Sequence, residues 1–141
     1  MFDLRSYLPY LLNRVGFAVT DTFGKTLADA SLTVPSWRVL AVLMSDGVVR
    51  IGELATLTSI ELSTLSRLVN SLQKRGLVVR KNAKNDARVV NVALTARGRS
   101  VTAALVPQAE ELERRLLAGL PAGDVAELKR LLEHLHANVH A

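Results

Sequence analysis

The sequence predicts a mainly α-helical fold that carries one small β-hairpin. Three observations lead there. Apolar side chains recur at helical spacing through both ends of the chain. A helical pattern in the middle breaks and resumes as a second, strongly two-faced helix. Directly after it, two runs of strand-like residues flank a short polar tip. With 141 residues, 49% of them hydrophobic, the chain suffices for one well-cored domain.

The elements follow in order. From about Ser6 to Ala30, Tyr7 and Leu11, then Leu8, Leu12, Val15 and Val19, mark a long helix, with Pro9 tolerated in its first turn. Thr33 is placed to cap a second helix, with Pro35 just inside it, and Trp37, Leu40, Ala41 and Met44 form its inward stripe. Asp46-Gly47 is a turn, and Val48-Val49 suits one short strand. Ile51, Leu54 and Ala55 indicate a short helix, broken near Thr58-Ser59. The next helix runs from about Glu61 to Arg75 and ends at Gly76. Leu77 to Lys81 and Arg88 to Leu94 read as strands, with residues 82–86 as the tip. Thr95 can cap a helix toward Leu117, which Gly98 and Pro107 weaken or kink. After a break at Gly119 to Gly123, Asp124 can cap a last helix carrying Leu128, Leu131, Leu132 and Leu135. Two short helices followed by a hairpin is the order of a winged helix-turn-helix.

The charge is focused. Eighteen Lys and Arg face 13 Asp and Glu, a net +5. Nine of those cations (Arg67, Lys74, Arg75, Arg80, Lys81, Lys84, Arg88, Arg97 and Arg99) lie within residues 62–99, against the one acid Asp86. Such a stretch favours a polyanionic partner. The absence of cysteine excludes disulfides, thiolate metal sites and thiol redox sensing. The first residues lack the pattern of a signal peptide, and no apolar run approaches the roughly 20 residues of a membrane span. A protein resident where it is made, without membrane contact, is expected.

The helix from Glu61 to Arg75 separates into two faces. Leu65, Leu68, Val69 and Leu72 fall on one, for packing. Ser63, Arg67, Asn70 and Lys74 fall on the other, flanked by Thr64 and Ser66. Hydroxyls, one amide and cations on one face suit a DNA major groove. Arg67 is the candidate for a bidentate contact to guanine and Asn70 for adenine. Ser63 and Thr64 are placed to hydrogen-bond phosphate at the helix N-terminus. Any surface helix has a polar face, and the following hairpin shifts the balance: Lys81, Lys84 and Arg88 can reach a neighbouring minor groove or the DNA backbone. Asp86 either holds Arg88 by a short-range ion pair or is a plain turn residue.

Ser63-Thr-Leu-Ser-Arg-Leu-Val-Asn-Ser-Leu-Gln-Lys-Arg-Gly-Leu-Val, Asp86-Ala-Arg88 and Val92-Ala-Leu-Thr95-Ala-Arg-Gly98, in that order, resemble the MarR family of transcriptional regulators. Pro35-Ser-Trp-Arg-Val-Leu40 and Gly52-Glu-Leu-Ala55 extend the likeness over roughly residues 7–118. The resemblance implies a bacterial, cytoplasmic, nucleoid-associated repressor. It also implies an intertwined helical homodimer, with residues 6–30 and 95–141 as the dimerisation region. Residues 33–94 would form the winged helix-turn-helix, gripping a pseudo-palindromic site on double-stranded DNA. Ser63, Thr64, Ser66, Arg67, Asn70 and Lys74 would come from the recognition helix, Arg88 from the wing as a DNA-facing cation, and Asp86 as its structural partner. Two positions depart from the family pattern. Ala87 stands where an Arg is frequent, which either moves the minor-groove role to Lys84 or weakens it, and Arg50 stands where a capping Ser or Thr is expected.

Release by a small aromatic or phenolic acid is a further implication of the resemblance. Tyr10, Arg14, Phe17, Trp37 and Arg38 are the candidate pocket residues, since an arginine can hold a carboxylate among aromatic walls. Trp37 and Phe17 serve equally as plain core. His136 and His140 have the i, i+4 spacing of a metal pair, but no third ligand accompanies them and a solvated helix end explains them. No metal, cofactor or catalysis is expected, since no nucleophile–base pair or phosphate-cradling loop is present. The competing reading is a winged-helix protein–protein module that does not bind DNA, against which the clustered cations argue.

Overall fold

The computed structural model describes residues 1–140. The chain falls into two compact units, Met1–Gln108 and a second that begins at Ala109.

In the first unit a 3-10 turn at Leu4–Ser6 precedes α1, Leu8–Ala28. The helix starts two residues later than its apolar spacing suggests, because Tyr7 is extended and Asp3 caps the separate turn by accepting from the Arg5 amide. α2 spans Val34–Asp46. The Thr33 hydroxyl accepts the Ser36 N–H at 3.3 Å, which satisfies an orphan donor of the first turn. Its buried stripe is Ser36, Val39, Leu40 and Leu43. The expected stripe is therefore rotated: Trp37, Ala41 and Met44 are half-buried at its margin. Trp37 sits there because it packs edge-on against Phe23 of α1, with ring centroids 5.3 Å apart.

Strand β1, Val49–Arg50, leads into α3, Ile51–Thr58, which closes at Ser59 in the left-handed region (φ 56°). α4 spans Leu62–Lys74. It ends in a Schellman motif: Gly76 has φ 75°, its N–H donates to the Gln73 carbonyl, and the Leu77 N–H donates to the Leu72 carbonyl. Strands β2, Val78–Ala83, and β3, Asp86–Leu94, form an antiparallel hairpin, and the sheet order is β1-β3-β2. Both strands run further toward the tip than their hydrophobic pattern indicates, leaving only Lys84-Asn85 between Ala83 and Asp86. The register shifts beside that turn: Asn82 pairs with Val90 while Ala83 pairs with Asp86, so Ala87, Arg88 and Val89 form a bulge.

The core of this unit joins α1 to α4, the sheet and α5. Leu27, Leu40, Leu43, Leu54, Leu65, Leu72 and Val92 are almost wholly excluded from solvent. α5 spans Ala96–Leu116. The Thr95 hydroxyl caps it by accepting the Gly98 N–H at 3.0 Å, and donates in turn to the Gly76 carbonyl at 2.6 Å. Gly98, which weakens an isolated helix, is required here. A Cβ at this position would lie 1.9 Å from the Leu77 carbonyl oxygen. Pro107 is accommodated inside α5, just before the boundary between the units.

The second unit holds the end of α5 and α6, Ala122–Val139. Pro121, not Asp124, occupies the capping position; Asp124 lies in the first turn, where its charge favours the helix dipole without a capping bond. Leu128, Leu131 and Leu132 are exposed along α6. No helix among the described residues is long and apolar enough to cross a membrane.

Gly98→Ala is expected to destabilise the first unit by about 1–3 kcal/mol, because the added methyl meets backbone and cannot be relieved by a rotamer change. Thermal unfolding of the variant checks this; an unchanged midpoint would mean that α5 does not lie on Leu77 as described.

Candidate nucleic-acid interface

α4 is amphipathic because its apolar residues follow the i, i+3, i+4 rule against α3 and the sheet. Leu65, Val69 and Leu72 are buried and Leu68 is half-buried. The opposite side carries Ser63, Thr64, Arg67, Asn70 and Lys74, all exposed. Ser66 stands apart from them. It is half-buried, and both its carbonyl (2.8 Å) and its hydroxyl (3.0 Å) accept from Nη2 of Arg80. The Arg80 backbone N–H donates to Oε1 of Gln73 at 3.1 Å. Arg75 also turns away from the exposed face. Its guanidinium donates to the Ser31 carbonyl (2.8 Å) and the Ala30 carbonyl (3.5 Å) in the loop between α1 and α2.

At the start of α4 the Ser63 hydroxyl donates to Oε1 of Glu61 at 2.6 Å. Glu61 falls one residue outside the basic stretch, and a count of charge within that stretch missed it. Its proximity to the first turn, where acids favour the helix dipole, was the available signal.

The wing presents Lys81 and Lys84 exposed, and the Arg88 side chain is 92% exposed. Asp86 organises the bulge. Its Oδ1 accepts the Arg88 backbone N–H at 2.9 Å and the Arg88 Nε at 3.2 Å. These two bonds, the backbone one first, together with the nearby Arg50 charge, hold the Asp86 carboxyl below the ordinary aspartate range. A recess beside the wing is lined by Arg50 of β1, by Gly52 and Glu53 of α3 and by Arg88, Val89 and Val90 of β3. The structure thus brings cations from β1, α4 and the hairpin to exposed positions.

The five candidate pocket residues are placed as follows. Tyr10 is half-buried on α1 with the Arg14 guanidinium over its ring, 5.7 Å from the centroid. Phe17 is 70% exposed, Trp37 lies against Phe23, and Arg38 is exposed. A second recess of the first unit is lined instead by Thr26, Asp29 and Ala30 of α1 and its C-terminal end and by Val101, Ala104, Leu105 and Gln108 of α5. The His136 and His140 rings stack at 4.2 Å, and among the described residues no group of three or more His, Asp or Glu is arranged to hold a metal.

A model of the MarR family matches residues 30–89, from the loop between α1 and α2 into the wing. The HTH-type transcriptional repressor IacR of Pseudomonas putida is 32% identical over 92% of this chain and 78% of its own. Among solved structures, Bordetella bronchiseptica BpsR, whose DNA binding is regulated by 6-hydroxynicotinic acid, superposes with a TM-score of 0.81 at 26% identity, over 92% of this chain and 98% of that one. A mutant of Escherichia coli MarR, complexed with operator DNA, superposes with a TM-score of 0.80 at 26% identity, over 91% of this chain and 92% of that one.

The sign of the Asp86 effect follows from its direction. A lowered folded-state value means that the wing contact is complete above the ordinary aspartate value and is lost as pH falls through the lower, folded one. Carbon-detected NMR titration should give a midpoint below that of free aspartate. Arg88→Ala, which keeps the backbone donor, should raise it part of the way. An ordinary midpoint in the unmodified protein would contradict the bulge geometry.

Proposed function

Because the chain belongs to the MarR family of transcriptional regulators, we propose that it is a repressor that grips a pseudo-palindromic site on double-stranded DNA as a homodimer. The observation that carries this reading is the shared exposure of Ser63, Thr64, Arg67, Asn70 and Lys74 on α4 beside the wing cations Lys81, Lys84 and Arg88. The B-DNA major groove, about 12 Å wide, admits one helix. Arg67 then reads guanine and Asn70 adenine, while Thr64, Ser63 and Lys74 hold phosphates. Lys84 and Arg88 enter the adjoining minor groove or follow the backbone, Lys81 adds to the wing's charge, and Ser66 contributes through its bonds to Arg80. The operator complex of Escherichia coli MarR supports the same use of this fold.

The homodimer is inferred from apolar surface that a lone chain leaves in water. Leu8, Leu11, Leu12 and Val15 repeat at i, i+3, i+4, i+7 along α1, and all are exposed. Leu128, Leu131 and Leu132 are exposed at i, i+3, i+4 along α6, and Leu135 at i+7 is half-buried. Residues 6–30 and 95–141 are the dimerisation region in this reading, and 33–94 the DNA-binding region. A second copy covers such stripes and sets two α4 helices about one DNA turn apart. An aromatic acid as the releasing ligand rests on the Arg14–Tyr10 pair and on the ligand named for BpsR. Phe17, Trp37 and Arg38 are the other proposed pocket residues.

Arg67→Ala and Arg88→Ala separate base reading from backbone binding. The first should lose about 1–3 kcal/mol on a selected duplex and little on a scrambled one. The second should weaken both alike and lower the salt slope by roughly one. Equal discrimination by Arg67→Ala and the unmodified protein would show that α4 does not read bases there. Polar replacement of Leu128, Leu131 and Leu135 should dissociate the dimer in sedimentation and abolish DNA binding; a DNA-binding monomer contradicts the dimeric reading.

A further inference from the structure

Arg80 belongs to the basic stretch, yet its guanidinium turns from β2 onto α4. Nη2 grips the carbonyl and the hydroxyl of Ser66, while the Arg80 backbone N–H holds the Gln73 side chain. Ser66 and Gln73 are seven residues apart, so α4 is pinned to the strand at two points about 10 Å apart along its axis. Two pins fix rotation as well as height. The first stands beside Arg67 and the second beside Lys74, two of the outward cations.

The site is not an ordinary surface contact. The Arg80 Nε is buried without a hydrogen-bond partner, which costs free energy. The bonds from Nη2 offset that cost, and partial withdrawal from water strengthens them. Both bonds leave the one terminal nitrogen Nη2, which lies a covalent bond further from the backbone than a lysine ammonium reaches. The Arg80 guanidinium is thus engaged by α4, whereas Lys81 and Lys84 are exposed.

We propose that Arg80 is a positioning residue for sequence recognition, setting the rotation of α4 relative to the wing so that Arg67 and Asn70 meet base edges while Arg88 meets the backbone. This rests on the DNA-binding reading above. Rotating a helix by one residue's worth swings its side chains about 100°, and a bidentate contact tolerates only a small part of that. Loss of Arg80 therefore costs discrimination between sequences rather than general affinity for DNA.

The test uses the full-length protein, Arg80→Ala and Arg80→Lys, a duplex selected from random sequence, a scrambled duplex, and a salt series. Arg80→Ala should weaken binding to the selected duplex by roughly tenfold to a hundredfold, the worth of one base contact, and leave the scrambled-duplex affinity and the salt slope unchanged. Arg80→Lys, which keeps the charge but not the reach, should remain impaired, and it carries the test should Arg80→Ala fail to fold. Equal weakening on both duplexes with a salt slope lower by about one would make Arg80 a phosphate contact and overturn the proposal. Unchanged discrimination would overturn it too. If the unmodified protein does not tell the duplexes apart, the DNA-binding reading fails by itself. Hydrogen exchange then decides the positioning: faster exchange of α4 amides in Arg80→Lys supports it, and unchanged rates refute it.

Discussion

The carbonyl of Leu77 lies against Gly98 with no space for a side chain between them, and much of the first unit is tied to that approach. The Leu77 N–H closes α4 onto Leu72, its carbonyl accepts the Thr95 N–H, and its side chain is buried. Gly76, at positive φ, makes the reversal, and its carbonyl accepts the Thr95 hydroxyl. The end of α4, the start of β2, the end of β3 and the start of α5 thus meet around two residues. A helix fixed at its C-terminus in this way has little freedom to slide along its own axis. The buried apolar row Leu65, Val69 and Leu72 turns the polar side outward, and the Arg80 bonds to Ser66 and Gln73 set the finer rotation.

Around that junction the cations divide into two kinds. Arg75 and Arg80 donate to carbonyls of the loop before α2 and of α4 itself. Arg67, Lys74, Lys81, Lys84 and Arg88 remain exposed. The inward group shapes the platform and the outward group carries its charge. One acid serves each end of the exposed surface: Glu61 beside Ser63 and Asp86 beneath Arg88. Both orient a neighbour while lowering the local positive charge, so the surface is patterned rather than uniformly basic.

What was legible in the sequence was mostly local. The Thr33 cap, the Gly76 stop and the order of helix, helix and hairpin all arise from relations within a few residues, where propensity and turn chemistry act directly. The family resemblance rested on the same local runs, and the MarR match confirms that part. The missed features depend on distant partners. Trp37 left the α2 stripe because Phe23 of α1 drew it to the margin. Gly98 reads as a helix defect until the Leu77 carbonyl is placed beside it. Arg75, Arg80 and Ser66 look like surface residues until bonds spanning 14 to 45 positions are known. The hairpin outran its hydrophobic pattern because backbone pairing continues to the tip regardless of side-chain polarity.

Everything functional depends on whether two copies of α4 and its wing read DNA together. Selection of bound sites from a random duplex pool, with the full-length protein at moderate salt, tests this most directly. Enrichment of an inverted repeat is predicted, with half-sites about one helical turn apart, centre to centre. Recovery of unrelated sequences, bound only through salt-sensitive contacts, would contradict it.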